Sequence, residues 1–238
     1  MRHSKLTEVL RYDEKESKLF MPNEIFEDLT ENIQETSSHI GFAYSFYYLT
    51  TWLYRHCKYI EHHYDRGLLK EILGYSKTNK TVDYLIKHEG ILDKINYTRT
   101  SNDFPLRWWL DEFNDPEFEL FSEMEERVSP ELKDVLTPNR RNKSIKVPVK
   151  AFFRYDEAEE INYWNGTFYE IDNTHLVPFE VFLHCMSNES ELGCEAFYLY
   201  GFFKFKNDKF QRGCDISLEE ITSQTGRKKL AEISICIT

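Results

Sequence analysis

The sequence predicts a mainly α-helical protein with small β elements, an α+β fold built in two units. Three observations carry this. Apolar residues recur at helical spacing in short stretches closed by Gly74, Gly90 and Gly226. Two brief runs of β-branched and aromatic residues flank the polar turn Ser101-Asn102-Asp103. The charge also flips sign near residue 138, which places a boundary there.

The elements follow in order. Pro22 followed by NEIFEDLTENI reads as a helix start, with acids in the first turn and Ile25, Phe26 and Leu29 on one face. From about Ile40 to Tyr59 the chain carries eight aromatics and is apolar nearly all round, the mark of a central core helix. Arg66 to Leu73 makes a short helix ended by Gly74. Thr78 caps the next one, with Val82, Leu85 and Ile86 as its buried stripe and Gly90 as its end. ILDKINYTRT and FPLRWWL then read as strand, turn and strand.

The middle changes character. Ser101 to Thr137 holds eleven acids against three bases, and residues 111–137 read as an acidic linker with short helices. Pro138 to Tyr155 holds six bases and no acid. The expected units are therefore 1–110, the linker 111–137, and 138–238. In the second unit VPVKAFFRY alternates like a strand, and Asn165-Gly166 sits between aromatic runs like a hairpin turn. VPFEVFLHCM and CEAFYLYGFFKFK read as helices. SLEEITSQTG opens with the capping box Ser217-x-x-Glu220.

Composition narrows the function classes. The net charge is -11, yet 41% of residues are hydrophobic and 16% aromatic, enough for a packed core. The five cysteines are widely spaced with no CxxC, so they read as reduced thiols of a cytoplasmic protein. No secretory h-region opens the chain. Ile40 to Tyr54 is too short and too polar for a bilayer span of about 20 residues, so no membrane partner is expected. His56, Cys57, His62 and His63 lack metal-ligand spacing, and no P-loop or nucleophile motif occurs. The expectation is no catalytic residue, no metal and no cofactor.

One stretch does carry a functional signal. LLKEILGYSKTNKTVDYLIKHEGIL has the parts of a helix-turn-helix: a first helix anchored by Leu68, Leu69, Ile72 and Leu73, a turn at Gly74, and a capped second helix over 78–89. Outside its apolar stripe lie Lys77, Thr78, Asn79, Lys80, Asp83, Tyr84 and Lys87. Lysines bind phosphates and Asn reads adenine edges. Tyr97 and Arg99 sit where a β-wing would touch the adjacent backbone. From Arg66 to Thr100 seven bases face four acids, a locally basic module in an acidic chain. DNA affinity follows the contact face more than total charge.

LKEILGYSKTNKTVDYLIKHEGILDKINYT resembles the winged helix-turn-helix of Firmicute plasmid replication initiators and of DnaD-type primosome proteins. The resemblance covers about residues 20 to 110. SLEEITSQTG after a long aromatic helix resembles a second such domain. The resemblance implies two winged-helix-like domains and a double-stranded DNA-binding protein of replication-initiation or transcription-regulator type. Its implied partners are duplex DNA, replication or transcription proteins, and a second copy of the chain. The second module departs from the pattern, because Gly226 runs directly into Arg227, Lys228 and Lys229 and only 12 residues follow the glycine. It reads as truncated, with an incomplete recognition helix, and those three bases are its remaining DNA-binding candidates. The competing expectation is an interaction module of a replication or regulatory assembly with no direct DNA contact. A polar, basic surface over 77–87 would favour DNA, and an apolar one would favour protein.

Overall fold

A computed structural model describes residues 1–34, 36–60, 62–112, 116–125, 144–154, 172–209 and 215–225. The fold is mainly α with small antiparallel strand pairs. In chain order the elements are α1 (His3–Leu10), β1 (Lys18–Pro22), α2 (Ile25–Asn32), α3 (Ser37–Arg55), α4 (Arg66–Ile72), α5 (Asp83–Ile86) and α6 (Ile91–Lys94). There follow β2 (Arg99–Ser101), β3 (Pro105–Leu110), β4 (Pro116–Leu120), α7 (Phe121–Glu125), β5 (Ile145–Val147), β6 (Thr174–Pro178), α8 (Phe179–Met186), α9 (Gly193–Lys209) and α10 (Leu218–Thr225).

Helix α3 is the centre. Every residue from Ile40 to Tyr54 is buried, as its all-round apolar character requires. Helices α8 and α9 cover it. Trp52 stacks on Phe179 with ring centroids 3.9 Å apart, and Tyr48 meets Phe197 edge-on at 4.9 Å. The helices approach closely because each supplies a glycine at the crossing. A Cβ on Gly41 would lie 3.2 Å from the Cys194 carbonyl, and one on Gly201 would strike the Tyr44 ring. The helix ends at Arg55, four residues before the expected Tyr59. Cys57 takes a left-handed backbone (φ 52°), and the Lys58 N–H returns to the Leu53 carbonyl at 3.0 Å.

The strand pairs connect distant parts of the chain. β1 runs antiparallel to β6, with Phe20 opposite Leu176, and β2 runs antiparallel to β5, with Thr100 opposite Lys146. Both pairings cross the boundary expected near residue 138, and one buried cluster holds residues from both sides of it. Pro22, expected to start a helix, is the last residue of β1, and α2 begins at Ile25.

The expected strand–turn–strand does not form. Ile91–Lys94 is helical, β2 pairs with β5, and β3 pairs instead with β4, Trp108 opposite Phe118. Asp103 fixes the chain here by accepting from the Phe104 N–H at 2.9 Å and the Ser122 N–H at 3.0 Å. The acidic stretch expected to be linker thus contributes β4 and α7, and residues 126–137 lie outside the described ones. Of VPVKAFFRY only Val147 is strand, as the last residue of β5, and a 3-10 turn follows at Val149–Ala151; Tyr155 lies outside the described residues. The Asn165-Gly166 hairpin lies outside the described residues. At α10, Ser217 does cap, its hydroxyl accepting from the Glu220 N–H at 3.1 Å. No helix among the described residues is long and apolar enough to cross a membrane.

Candidate nucleic-acid interface

The first helix of the expected motif forms as its sequence dictates. The Asp65 carboxylate caps α4, accepting from the Leu68 N–H at 2.7 Å. Its far end closes in a Schellman turn. The Tyr75 N–H bonds the Lys70 carbonyl at 2.8 Å, the Gly74 N–H bonds that of Glu71 at 3.1 Å, and Gly74 takes φ 81°. Leu69, Ile72 and Leu73 are buried, and Leu68 is half-buried.

The second helix is shorter than expected. Instead of running from Thr78 to Glu89 it is one turn, Asp83–Ile86, with Val82 at its N-cap. Side chains compete for the backbone ahead of it. The Asn79 amide oxygen accepts from both the N–H and the hydroxyl of Thr81, each at 2.7 Å, an Asx turn in place of a helix turn. Buried Lys70 fixes this turn, donating to the Asn79 carbonyl at 2.5 Å and pairing with the Asp83 carboxylate. Beyond Ile86, Lys87 is extended, Glu89 takes φ 56°, and Gly90 packs where a Cβ would be 2.7 Å from the Leu85 carbonyl. The stripe Val82, Leu85 and Ile86 is buried as expected.

The expected contact residues divide. Lys77, Thr78, Lys80, Lys87 and Arg99 are exposed, with Lys77 paired to Glu71 at 3.0 Å. Asn79 and Asp83 are engaged in the turn just described. Tyr84 turns its hydroxyl to His39 Nδ1 at 3.0 Å. Tyr97 is not a wing residue at all. It is fully buried, donates to Asp28 at 2.7 Å and meets Tyr47 edge-on. Burial first, and then the Asp28 charge, holds its phenol well above the usual range. Arg227, Lys228 and Lys229 lie outside the described residues.

Lys146 is a residue that sequence reasoning missed. It stands in β5, 8% exposed, and its ammonium reaches both Asp93 oxygens at 2.7 and 2.6 Å, the Thr100 hydroxyl at 2.9 Å and the Lys87 carbonyl at 3.0 Å. One side chain thereby ties α5, α6, β2 and β5 together. Burial lowers its pKa, while Asp93 acts to raise it. Beside it opens a cleft of about 240 Å³, lined among others by Phe46, Tyr59, Tyr64, Arg66, Lys87 and His88. Arg66 also lines a second, wider cleft with Lys5, His62, His63 and Lys77.

Among the described residues no group of three or more His, Cys, Asp or Glu side chains could hold an ion. Burial, with Arg55 and Lys58 nearby, lowers the His56 pKa to about 3, and burial raises the Cys57 thiol to about 12 against the opposing pull of Lys58. No protein-family model, curated protein or solved structure matches the chain.

Proposed function

We propose that the protein binds duplex DNA through phosphate contacts made by Lys77, Lys80, Lys87, Arg66 and Arg99, and serves in replication or transcription without chemistry of its own. One observation carries the reading. Every exposed residue between Ser76 and Glu89 is polar (Ser76, Lys77, Thr78, Lys80, Thr81, Lys87, His88, Glu89), and three are lysines. A docking surface for protein would place apolar or aromatic side chains there. The negative charge of Asp83 is taken up by Lys70, so it opposes the outward lysines little.

The binding mode follows from the one-turn helix. A single turn cannot lie along a major groove and present successive side chains to base edges. Asn79 and Tyr84 are occupied within the protein. Phosphate contacts hold a duplex without reading its sequence. Binding should therefore be largely indifferent to sequence and steeply dependent on salt.

Fluorescence anisotropy with random duplex at about 50 and 200 mM salt tests this. Each neutralised phosphate adds roughly 0.9 to the slope of log affinity against log salt. Replacing Lys80 and Lys87 together by Ala should reduce that slope by about two units. An unchanged slope removes these lysines from the interface, and no binding at low salt removes the DNA reading itself.

A further inference from the structure

We propose that the cleft beside Lys146 is a binding site for a small phosphomonoester, a pentose 5-phosphate that is either free or the 5′ end of a nucleic-acid strand.

The lining sets the charge. Arg66, Lys87, His88 and Lys146 border the cleft, together with the hydroxyls of Thr100 and Ser144, and no acid among the described residues does. In a chain with 41 acids against 30 bases, that is a local reversal. The ammonium of Lys146 is already neutralised by Asp93 behind it. The side chains of Arg66 and Lys87 make no ion pair or hydrogen bond among the described residues. Two unspent cations facing one small cleft match a phosphomonoester, which carries about -1.5 to -2 charges at neutral pH on three acceptor oxygens.

The second observation is Tyr59. It lines the same cleft and is 6% exposed, and its hydroxyl is buried without a hydrogen-bond partner among the described residues. A buried hydroxyl left unpaired costs about 1–3 kcal/mol, so such a group waits for an acceptor. Phosphate and sugar oxygens are acceptors. Size limits the rest of the ligand. About 240 Å³ is below the roughly 300 Å³ at which pockets for drug-sized ligands begin. The apolar floor from Phe46, Tyr59 and Tyr64 suits the carbon face of a sugar.

The proposal does not rest on duplex binding, and its test contains no duplex. Ribose 5-phosphate, ribose and inorganic phosphate are titrated into the full chain by calorimetry. The phosphorylated sugar should bind at least about tenfold more tightly than inorganic phosphate, and ribose alone should not bind. Tyr59→Phe should weaken ribose 5-phosphate by about tenfold, the worth of one hydrogen bond to a charged acceptor, without lowering the melting temperature. Arg66→Gln should weaken it further. Equal affinity for inorganic phosphate would mean an adventitious ion only, and that result overturns the proposal. So does an unchanged affinity in both variants, or no binding of the ester. Single strands with a 5′ phosphate or a 5′ hydroxyl then separate the two sources. A preference for the phosphorylated end assigns the site to strand termini, and its absence assigns the site to the free ester. Because Tyr59 is not among the cations proposed to hold the duplex, its variant leaves any binding of random duplex intact, which keeps the two readings separable.

Discussion

His175 shows how a single side chain reports on this core. It is fully buried in β6, with Nε2 against the Tyr44 hydroxyl and Nδ1 against the Asn23 amide oxygen, both at 2.9 Å. A neutral ring with its proton on Nδ1 satisfies both partners. Phe26 and Phe205 pack on it, and Lys204 is the charged group that acts on it. Burial first, then Lys204, holds its pKa down to about 3. In the unfolded chain a histidine takes its proton near 6.5. Between these values the unfolded state binds the extra proton, so His175 stabilises the fold fully above pH 6.5 and progressively less as pH falls towards 3. His56 behaves alike. Urea unfolding at pH 6.5 and 5 should show a loss on the order of 2 kcal/mol per such histidine, and His175→Gln should remove about half of the combined loss. Equal losses in variant and parent would show that His175 is not held neutral. The sequence offered no view of this residue, since nothing local says that β6 lies under α3. The same limit applies to Tyr97. An aromatic beside a predicted turn reads as exposed until the distant Asp28 and Tyr47 are seen around it.

At the scale of elements, legibility follows where the stabilising partners sit. α3 and α9 were readable because their apolar content is intrinsic to the segment. α4 was readable to within one residue because its end is written locally, in Gly74. The helix after it was misjudged for an equally local reason. Asn79 and Thr81 bond each other, and that exchange outcompetes the first helical turn. The strands were misjudged because their partners are far away in sequence. The run at Arg99–Ser101 is a strand, but it belongs with Ile145–Val147 and not with its neighbour across the turn. The tightest element contact also makes a prediction. Gly201 in α9 faces Tyr44, whose hydroxyl is held by His175 and whose ring packs against Phe197 and Tyr198. Gly201→Ala should destabilise by about 1–3 kcal/mol through overpacking, more than Gly41→Ala, whose Cβ meets only a 3.2 Å contact. Chemical denaturation of the two variants checks the order, and a harmless Gly201→Ala would mean that the helices are less close than described.

For the whole molecule, the mainly α class with small β elements and the locally basic stretch were legible, and the pairing of the strands was not. The locally basic stretch over 66–100 does place exposed cations around two clefts that share Arg66. A flip of charge near 138 says nothing about which strands pair. β1 with β6 and β2 with β5 both tie early residues to late ones. Unfolding should therefore be one cooperative event. Tryptophan fluorescence, to which buried Trp52 contributes, and far-ultraviolet circular dichroism should give coincident urea transitions. Two separated transitions would show that the halves unfold independently.

The covering of α3 by α8 and α9 also matters before the protein is complete. The aromatic face of α3 is made first, and the helices α8 and α9 that bury it follow much later in the chain. At about 5–20 residues per second, the ribosome takes roughly 10–30 s to pass from Arg55 to Lys209. Until α8 is made, Tyr44, Tyr48 and Trp52 have no native partner from the later helices. The nascent chain is then an adhesive surface, and its survival in the cell depends on what shelters that surface until α9 emerges.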